Sequence, residues 1–148
     1  MSKTILVPVD GSEASLKAID VAAEYLVKGD DRLVLLNVVH HHHAPKELSR
    51  FFETEFSEAP PENEYDRMLA SGVLEEARRR VYESGIENVE VMIEVGVPAK
   101  KIVTAAEKTG ADMIVMGSRG LGSVGGMAFG SVSQKVSHTT DCTVLIVK

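Results

Sequence analysis

The chain has 148 residues, of which 44% are hydrophobic and 26% charged, and its formal net charge at pH 7 is −6. This length suits one domain with its own core, and the acidic balance argues against a nucleic-acid-binding surface. The apolar runs are too short to cross a membrane, and a strand that begins almost at once leaves no room for a signal peptide. The single Cys142 excludes an internal disulfide and is typical of a reducing compartment. We therefore predict a cytoplasmic protein with one domain over residues 1–148.

Five runs of apolar and β-branched residues predict five β-strands. Several runs are apolar nearly throughout, which is typical of strands that are buried on both faces of a parallel sheet. In chain order the predicted strands are Thr4–Val9, Arg32–Val39, Asn88–Val95, Asp112–Met116 and Thr143–Val147.

Helical periodicity fills the intervals between the strands. Apolar residues spaced by three and four positions predict one helix after the first strand and a second that ends near Gly85. Pro98 is placed to open a third helix that ends at Gly110. Ser131 and Gln134 have the spacing of a capping box at the head of a fourth helix. The apolar positions of the first two helices are Leu16, Ile19, Ala23 and Leu26, and then Ala70, Leu74, Ala77 and Val81.

The alternation of strands and helices predicts an α/β fold with a doubly wound parallel sheet. If the chain reverses its winding direction after the third strand, the first and fourth strands become central neighbours. Ligands of such sheets bind outside the carboxyl ends of the strands at the reversal point. Those ends are VPVDGS, residues 7–12, and VMGSRG, residues 115–120, and we predict a ligand site there.

Six glycines lie between residues 113 and 136. Glycine weakens regular structure, so a cluster of this kind usually marks a special backbone path or a ligand. A P-loop is excluded, because Gly117 and Gly122 have its spacing but Ser123 stands where its lysine is required.

A dinucleotide fingerprint is the second pattern to consider in this stretch. Gly120, Gly122 and Gly125 match G-x-G-x-x-G. The preceding strand, however, ends near Met116, and too little chain follows for the rest of a βαβ unit. We interpret the match as accidental.

Residues 40–67 interrupt the rhythm and form a predicted variable insertion. Leu48, Phe51, Phe52 and Phe56 would share one face of a short helix there. We expect this segment to pack on its own domain, and a lid over the ligand or a dimer contact are the alternatives. The run His40–His43 has no Cys, Asp or Glu immediately beside it, so we interpret it as unligated loop histidines and predict no metal site.

One glycine pattern in the chain is specific to a known family. Gly117-x-x-Gly120, followed after nine residues by Gly130-Ser131, is the G-2x-G-9x-G-[S/T] pattern of ATP-binding universal stress proteins. The chain also resembles that family in ILVPVDGSEAS, in EVGVPAKKIVTAAEKTGADMIVMGSRG and in the closing TVLIVK. The resemblance covers nearly the whole chain. It implies a five-stranded sheet in the order 3-2-1-4-5, ATP as the ligand, and a homodimer.

The resemblance also implies which residues hold the nucleotide. The Asp10 carboxylate would hydrogen-bond the ribose or the base, and Val38 and Met116 would pack on adenine. The phosphates would follow the glycine loop to the head of the fourth helix. The complete implied set is Pro8, Val9, Asp10, Val38, Met116, Gly117, Arg119, Gly120, Gly130, Ser131, Val132 and Ser133.

Elementary chemistry supports a phosphate site at this place. Backbone N–H groups and the dipole of a helix N-terminus favour an anion, and the hydroxyls of Ser118, Ser131 and Ser133 offer further donors. We expect the motif glycines to stand where a side chain would obstruct the ligand or the turn. Arg119 is the only strong cation between residue 113 and Lys135, so we expect a bound Mg²⁺ to offset the triphosphate charge.

Simpler interpretations of the same residues stay open. Asp10 could cap the first helix or form a turn with the two residues that follow it, and Ser131 and Ser133 could be capping residues. Arg119 could be a solvated surface charge. Cys142 is expected to be a small buried residue and not a reactive thiol.

We predict a stress-response protein that binds ATP and acts as a nucleotide-dependent switch or interaction protein. We do not expect a dedicated catalyst, because Asp10 is the only obvious acid near the predicted phosphates, although slow hydrolysis is compatible with the site. The alternatives are an ATP-dependent enzyme of the adenine-nucleotide α/β class and a nucleotide-free interaction module. The exposed last strand, Thr143–Val147, offers an edge for a homodimer, and neither nucleic acid nor membrane is an expected partner.

Overall fold

The computed structural model describes residues 1–39, 62–119 and 130–148. In these ranges the strands are β1 (Thr4–Pro8), β2 (Arg32–Val39), β3 (Val89–Val95), β4 (Met113–Gly117) and β5 (Thr143–Val147). The helices are α1 (Glu13–Val21), which continues as a π-helical turn (Ala22–Leu26), α2 (Glu62–Glu83), α3 (Pro98–Thr109) and α4 (Ser131–Thr139). The predicted strands are therefore confirmed, with ends that differ by one residue at most.

All five strands are parallel and lie in the order β3-β2-β1-β4-β5. The predicted α/β fold, the doubly wound sheet and the strand order are confirmed. The pairing of β1 with β2 runs from Thr4 to Pro8, whereas β1 pairs with β4 only at Ile5 and Leu6. The two central strands therefore separate toward their carboxyl ends, and a crevice opens where the chain reverses its winding direction.

An apolar layer covers each face of the sheet. Helices α1 and α2 pack on one face and helices α3 and α4 on the other. Strand β1 shows the alternation, because Ile5 and Val7 face the first layer and Leu6 faces the second, and all three are buried. Burial of each such side chain contributes about 1.5–3 kcal/mol, which explains why the central strands are apolar nearly throughout.

The periodicity of the two middle helices is confirmed. Ala70, Leu74, Ala77 and Val81 of α2 are all buried, the last three of them in the first layer. Helix α3 has Pro98 in its first turn and ends at Gly110, whose φ is 65°. Helix α2 begins earlier than expected, so residues 62–67 belong to this helix although we predicted them as part of the insertion.

The first helix departs from the predicted pattern at its end. The amide of Val27 donates to the carbonyl of Ala22 (2.9 Å), which is the five-residue spacing of a π turn. Such a turn changes the phase of the helix. Ala22 is fully buried and continues the period of Ala18 and Ile19, whereas Ala23, which we predicted on the buried face, is only partly covered.

The capping box predicted for the fourth helix is wrong. The N-cap of α4 is Gly130, with φ −72° and ψ 162°, and no side chain in the described part of the chain caps this end. Ser131 lies one residue inside the helix and is exposed. A capping box requires its serine at the N-cap itself, so the spacing of Ser131 and Gln134 has no such role here.

The edge strands are less covered than the central ones. Val91, Ile93 and Val95 lie on one face of β3 and are 42%, 41% and 48% exposed. Strand β5, at the opposite edge, is partly exposed along its length. None of the helices in the described ranges is long and apolar enough to cross a membrane. The histidine run His40–His43 and the aromatic cluster of the insertion lie outside the described residues.

Candidate functional site

The crevice between β1 and β4 begins where their pairing stops, after Leu6. The carbonyl of Thr4 accepts a hydrogen bond from the amide of Asp112 (2.8 Å), so the backbone of Thr4 faces β4. Residues two positions apart in a strand face the same side, so the backbone of Pro8 also faces the β4 side, where the crevice lies. Proline has no N–H, and none is needed at a position beyond the paired part of the ladder.

Three of the predicted nucleotide-binding residues share one face of the sheet. Val38 and Met116 pack in the apolar layer of α3 and α4, and Pro8 has the same parity as Leu6, which lies in that layer. Met116 is 5% exposed, and Pro8 and Val38 are partly exposed. The fold therefore brings these three residues to neighbouring strand ends on one side of the crevice.

Val9, the first residue after β1, is hydrogen-bonded to β2. The amide of Val9 donates to the carbonyl of Leu36 (2.7 Å), and the side chain of Asn37 donates through Nδ2 to the carbonyl of Val9 (2.8 Å). Asn37 is buried, and sequence reasoning missed it. The available signal was a lone amide within the apolar run RLVLLNVV, since a buried polar side chain needs a partner.

A short turn joins β1 to α1. The Asp10 carboxylate accepts a hydrogen bond from the amide of Ser12 (2.9 Å), and Gly11 between them has φ 87°. The turn that we considered for Asp10 is therefore confirmed, whereas the alternative that Asp10 caps the helix is wrong. The N-cap is Ser12, whose hydroxyl accepts from the amide of Ser15 (3.2 Å). The contact of Asp10 with a ribose stays a prediction.

Gly117, the first glycine of the motif, lies against helix α1. A Cβ atom at this position would stand 2.6 Å from the carbonyl carbon of Ala14 and 2.7 Å from its Cβ. Real Cβ atoms do not approach backbone atoms this closely, so α1 can pack here only on a glycine. We expected a ligand or a turn to require glycine at the motif positions. At Gly117 this needs a correction, because the packing of α1 by itself explains why no side chain is present.

The N-terminus of α4 is attached to the end of β4. The amide of Gly130 donates to the carbonyl of Ser118, and the hydroxyl of Ser133 donates to the carbonyl of Gly117 (2.9 Å). Ser133 and Ser118 are buried, while Ser131 is exposed. Val132 packs partly buried against the layer of α3 and α4. The first turn of this helix therefore lies beside the carboxyl end of β4.

Charged groups are few at the crevice. Arg119 follows Ser118 and is exposed, and Lys135 is exposed on α4. Gly120 lies outside the described residues. No group of three His, Cys, Asp or Glu side chains that could hold a metal ion occurs within the described ranges, and Mg²⁺ stays a prediction.

Cys142 lies at the start of β5 and is partly exposed, which is less burial than we expected. Its Sγ donates to the carbonyl of Ala111 (3.3 Å). Burial and then the nearby Asp112 carboxylate raise the pKa of the Cys142 thiol, because both disfavour the thiolate. A raised pKa is the opposite of what a reactive thiol requires.

Known proteins match this chain over its full length. The Universal stress protein family model matches residues 1–148. A universal stress protein of Thermus aquaticus is 36% identical over 149 residues, which is 100% of both chains. The solved structure of MJ0577 is 30% identical with a TM-score of 0.76, and the match covers 100% of this chain and 96% of that one.

A further similar structure is that of a universal stress protein in complex with cAMP. It is 26% identical with a TM-score of 0.67, and the match covers 99% of this chain and 96% of the other. The family model and the relative confirm the predicted family, and the similar structures share the α/β fold. The chain is therefore a member of the universal stress protein family.

Proposed function

We propose that this protein binds an adenine nucleotide, with ATP as the preferred ligand, in the crevice between the ends of β1 and β4. Bound nucleotide would make the protein a switch or an interaction protein in a stress response. The observation that carries the proposal is the N-terminus of α4, which no side chain of the described residues caps and which is attached to the end of β4. The similar structure solved with cAMP supports an adenine nucleotide as the ligand class.

The first turn of α4 has the chemistry that a phosphate requires. The amides of the first helical residues have no partner within a helix, and a cap would normally satisfy some of them. Here the N-cap is Gly130, and its missing side chain leaves those amides available to an anion. The helix dipole favours a negative charge at the same end. The apolar strand ends at Pro8, Val38 and Met116 would cover the base.

We further propose that the protein is not a dedicated catalyst. Asp10 is the one carboxylate among residues 8–12, 116–119 and 130–133, and its Oδ1 already accepts from the amide of Ser12. General acid–base catalysis needs a titratable group that is positioned on the reacting atoms. With Asp10 engaged in a turn, these ranges favour binding and at most slow hydrolysis. Mg²⁺ would accompany the triphosphate and reduce its charge.

Nucleotide content and affinity test the proposal directly. Protein purified without added nucleotide is denatured, and the released small molecules are separated by chromatography. The emptied protein is then titrated with ATP, ADP and GTP, with and without Mg²⁺. A site with a Kd of about 1 μM would add about 4 kcal/mol at 1 mM ATP, which is about 10 °C in Tm. No bound nucleotide and no thermal shift at 1 mM would contradict the proposal.

A nucleotide-free interaction module is the second candidate, and one observation favours it. The backbone of Ala14 leaves no room for a side chain at position 117, so helix packing explains this glycine of the motif without a ligand. The same titration separates the two candidates, because an interaction module predicts no thermal shift with any nucleotide.

We also propose a homodimer that pairs through β5. This strand has β4 as its one neighbour in the sheet, and it is partly exposed from Val144 to Val147. An uncovered edge strand can pair with its copy across a two-fold axis. Light scattering would then give about twice the chain mass of 16.0 kDa, and the mass of a single chain would contradict the dimer.

A further inference from the structure

Two serines in the first turn of α4 differ in what surrounds them. Ser131 is exposed, whereas Ser133 is 4% exposed and points to the sheet. The hydroxyl of Ser133 donates to the carbonyl of Gly117 at 2.9 Å, a residue 16 positions earlier in the chain. Serines near a helix N-terminus usually bond to backbone groups close in sequence. Ser133 instead joins the helix to the end of β4.

The single hydroxyl hydrogen of Ser133 limits what this side chain can do. A serine hydroxyl has one hydrogen to donate and can otherwise only accept. Phosphate oxygens at neutral pH require donors, and the hydrogen of Ser133 is already directed to Gly117. The hydroxyl is also nearly inaccessible. Direct contact with a phosphate would require this buried bond to break.

The partner of Ser133 is itself held from two further sides. Gly117 lies against the backbone of Ala14 in α1, and the next residue, Ser118, donates its amide to the carbonyl of Val147 in β5 (2.8 Å). The carbonyl of Ser118 accepts from the amide of Gly130. The first turn of α4 is therefore attached by two hydrogen bonds to consecutive residues, which α1 and β5 keep in place.

We propose that Ser133 is a positioning residue, which acts through the carbonyl of Gly117 to aim the first amides of α4 at the phosphates. The inference rests on the proposed function and deepens it. Donors that are fixed before the ligand arrives bind better than donors that must be ordered on binding. Without the Ser133 bond, the bond from Gly130 to Ser118 is the one hydrogen bond among the described residues that still joins the helix end to β4, and the amides lose part of their fixed direction.

The experiment compares three serine-to-alanine variants of α4. Each is measured for Tm without nucleotide and for the Kd of ATP and of adenosine. For Ser133→Ala we expect a Tm lower by about 3 °C, because loss of a hydrogen bond costs about 1 kcal/mol of stability. We expect the Kd of ATP to rise about tenfold, while the Kd of adenosine, which has no phosphate, stays unchanged.

The other two variants serve as comparisons for Ser133→Ala. Ser131→Ala shows what a lost direct contact does, since we expect weaker ATP binding with an unchanged Tm. Ser137→Ala removes an exposed hydroxyl that donates to Gln134 in the same helix (2.9 Å), and we expect neither quantity to change appreciably. Should Ser133→Ala not fold, Ser133→Cys keeps a weaker donor and is expected to lie between wild type and the alanine variant.

Each pattern of results has a distinct meaning. A lower Tm together with a loss specific to ATP supports the positioning role. Weaker ATP binding at unchanged Tm would make Ser133 a direct phosphate contact, and a lower Tm at unchanged affinity would make it structural only. Either of these two results would overturn the positioning role of Ser133, whether it is obtained with the alanine or with the cysteine variant. If the wild-type protein binds no nucleotide, the proposed function fails, whereas normal binding by Ser133→Ala defeats this inference alone.

Discussion

Helices α1 and α4 both begin at the carboxyl ends of the central strands, and they differ in whether a side chain caps the first turn. At α1 the hydroxyl of Ser12 accepts from the amide of Ser15, and the Asp10 carboxylate accepts from the amide of Ser12. Ser15 in turn donates its hydroxyl to the carbonyl of Ser12 (2.9 Å). At α4 the N-cap is Gly130, and no side chain caps the end.

The difference indicates separate roles for the two helices. In α1 the Ser12 hydroxyl occupies the amide of Ser15, so one donor of the first turn is already used, and the helix packs against Gly117. Among the residues that the structure describes, no side chain caps the first turn of α4, and hydrogen bonds from Gly130 and Ser133 attach this turn to the end of β4. A side-chain cap occupies amides that an anion would otherwise need, so the comparison predicts phosphate binding at α4 and not at α1.

The largest expected effect comes from placing a side chain at Gly117, where α1 meets β4. We expect Gly117→Ala to lower the free energy of unfolding by about 1–3 kcal/mol, because the added methyl group overlaps the backbone of Ala14 and α1 must shift. Chemical denaturation measures the change. The matched control is Gly72→Ala in α2, which has no atom within 4 Å of the new Cβ and should gain about 0.5–1 kcal/mol. Equal effects of the two substitutions would show that Gly117 is not confined by α1.

A side-chain cap introduced at α4 would make its N-terminus resemble that of α1. We expect Gly130→Ser to raise the Kd of ATP about tenfold, which is about 1.4 kcal/mol, because the new hydroxyl would occupy an amide that otherwise binds phosphate. Gly130→Ala is the control that adds the Cβ atom without a cap. Calorimetric titration of both variants isolates the contribution of the hydroxyl, and equal ATP affinities would argue that the open amides do not bind the ligand.

The reverse change removes the cap of α1. We expect Ser12→Ala to lower the free energy of unfolding by about 1 kcal/mol, since the amide of Ser15 loses its partner. The Kd of ATP should stay within about twofold, because α1 is not the anion-binding helix in this comparison. Ser71→Ala, at an exposed position of α2, serves as a control for serine removal. A loss of ATP affinity as large as that of Gly130→Ser would remove the distinction between the two helices.

The smallest effect is expected at the opposite end of the sheet, at Asp31, just before β2. Hydrogen bonds from the amides of Lys3 (2.7 Å) and Lys28 (3.0 Å) lower the pKa of the Asp31 carboxyl, because they favour its charged form. Its contribution to stability is therefore complete above the unfolded-state pKa of about 3.9 and is lost as pH falls through the lower folded-state value.

Asp31→Asn tests this pH dependence. We expect the variant to be less stable than wild type at pH 7 and the difference to shrink below about pH 4, where the wild-type carboxyl becomes protonated. Denaturation at pH 7 and pH 3 measures this, and ATP affinity at pH 7 should not change. A stability difference that is independent of pH would show that the charge of Asp31 does not contribute.

The features that followed from sequence are local ones. The apolar runs located all five strands, and the spacing of Ala70, Leu74, Ala77 and Val81 identified the buried face of α2. Both signals depend only on the period of a strand or a helix, which neighbouring residues determine among themselves. The family resemblance implied the strand order 3-2-1-4-5, which is confirmed, and the order along the chain with right-handed crossovers leaves few other topologies.

The contacts that distinguish the two helix N-termini needed the tertiary structure. Asn37 bonds to Val9 across 28 residues, and Ser133 bonds to Gly117 across 16. Ala14 and Gly117 meet only because α1 packs beside β4. No period in the sequence encodes which distant backbone a buried hydroxyl or amide will find. By itself the sequence therefore determined the elements, their order and the crevice. The tertiary structure decided which glycine serves packing, which serine is buried and which helix is left uncapped, since each depends on atoms that only folding brings together.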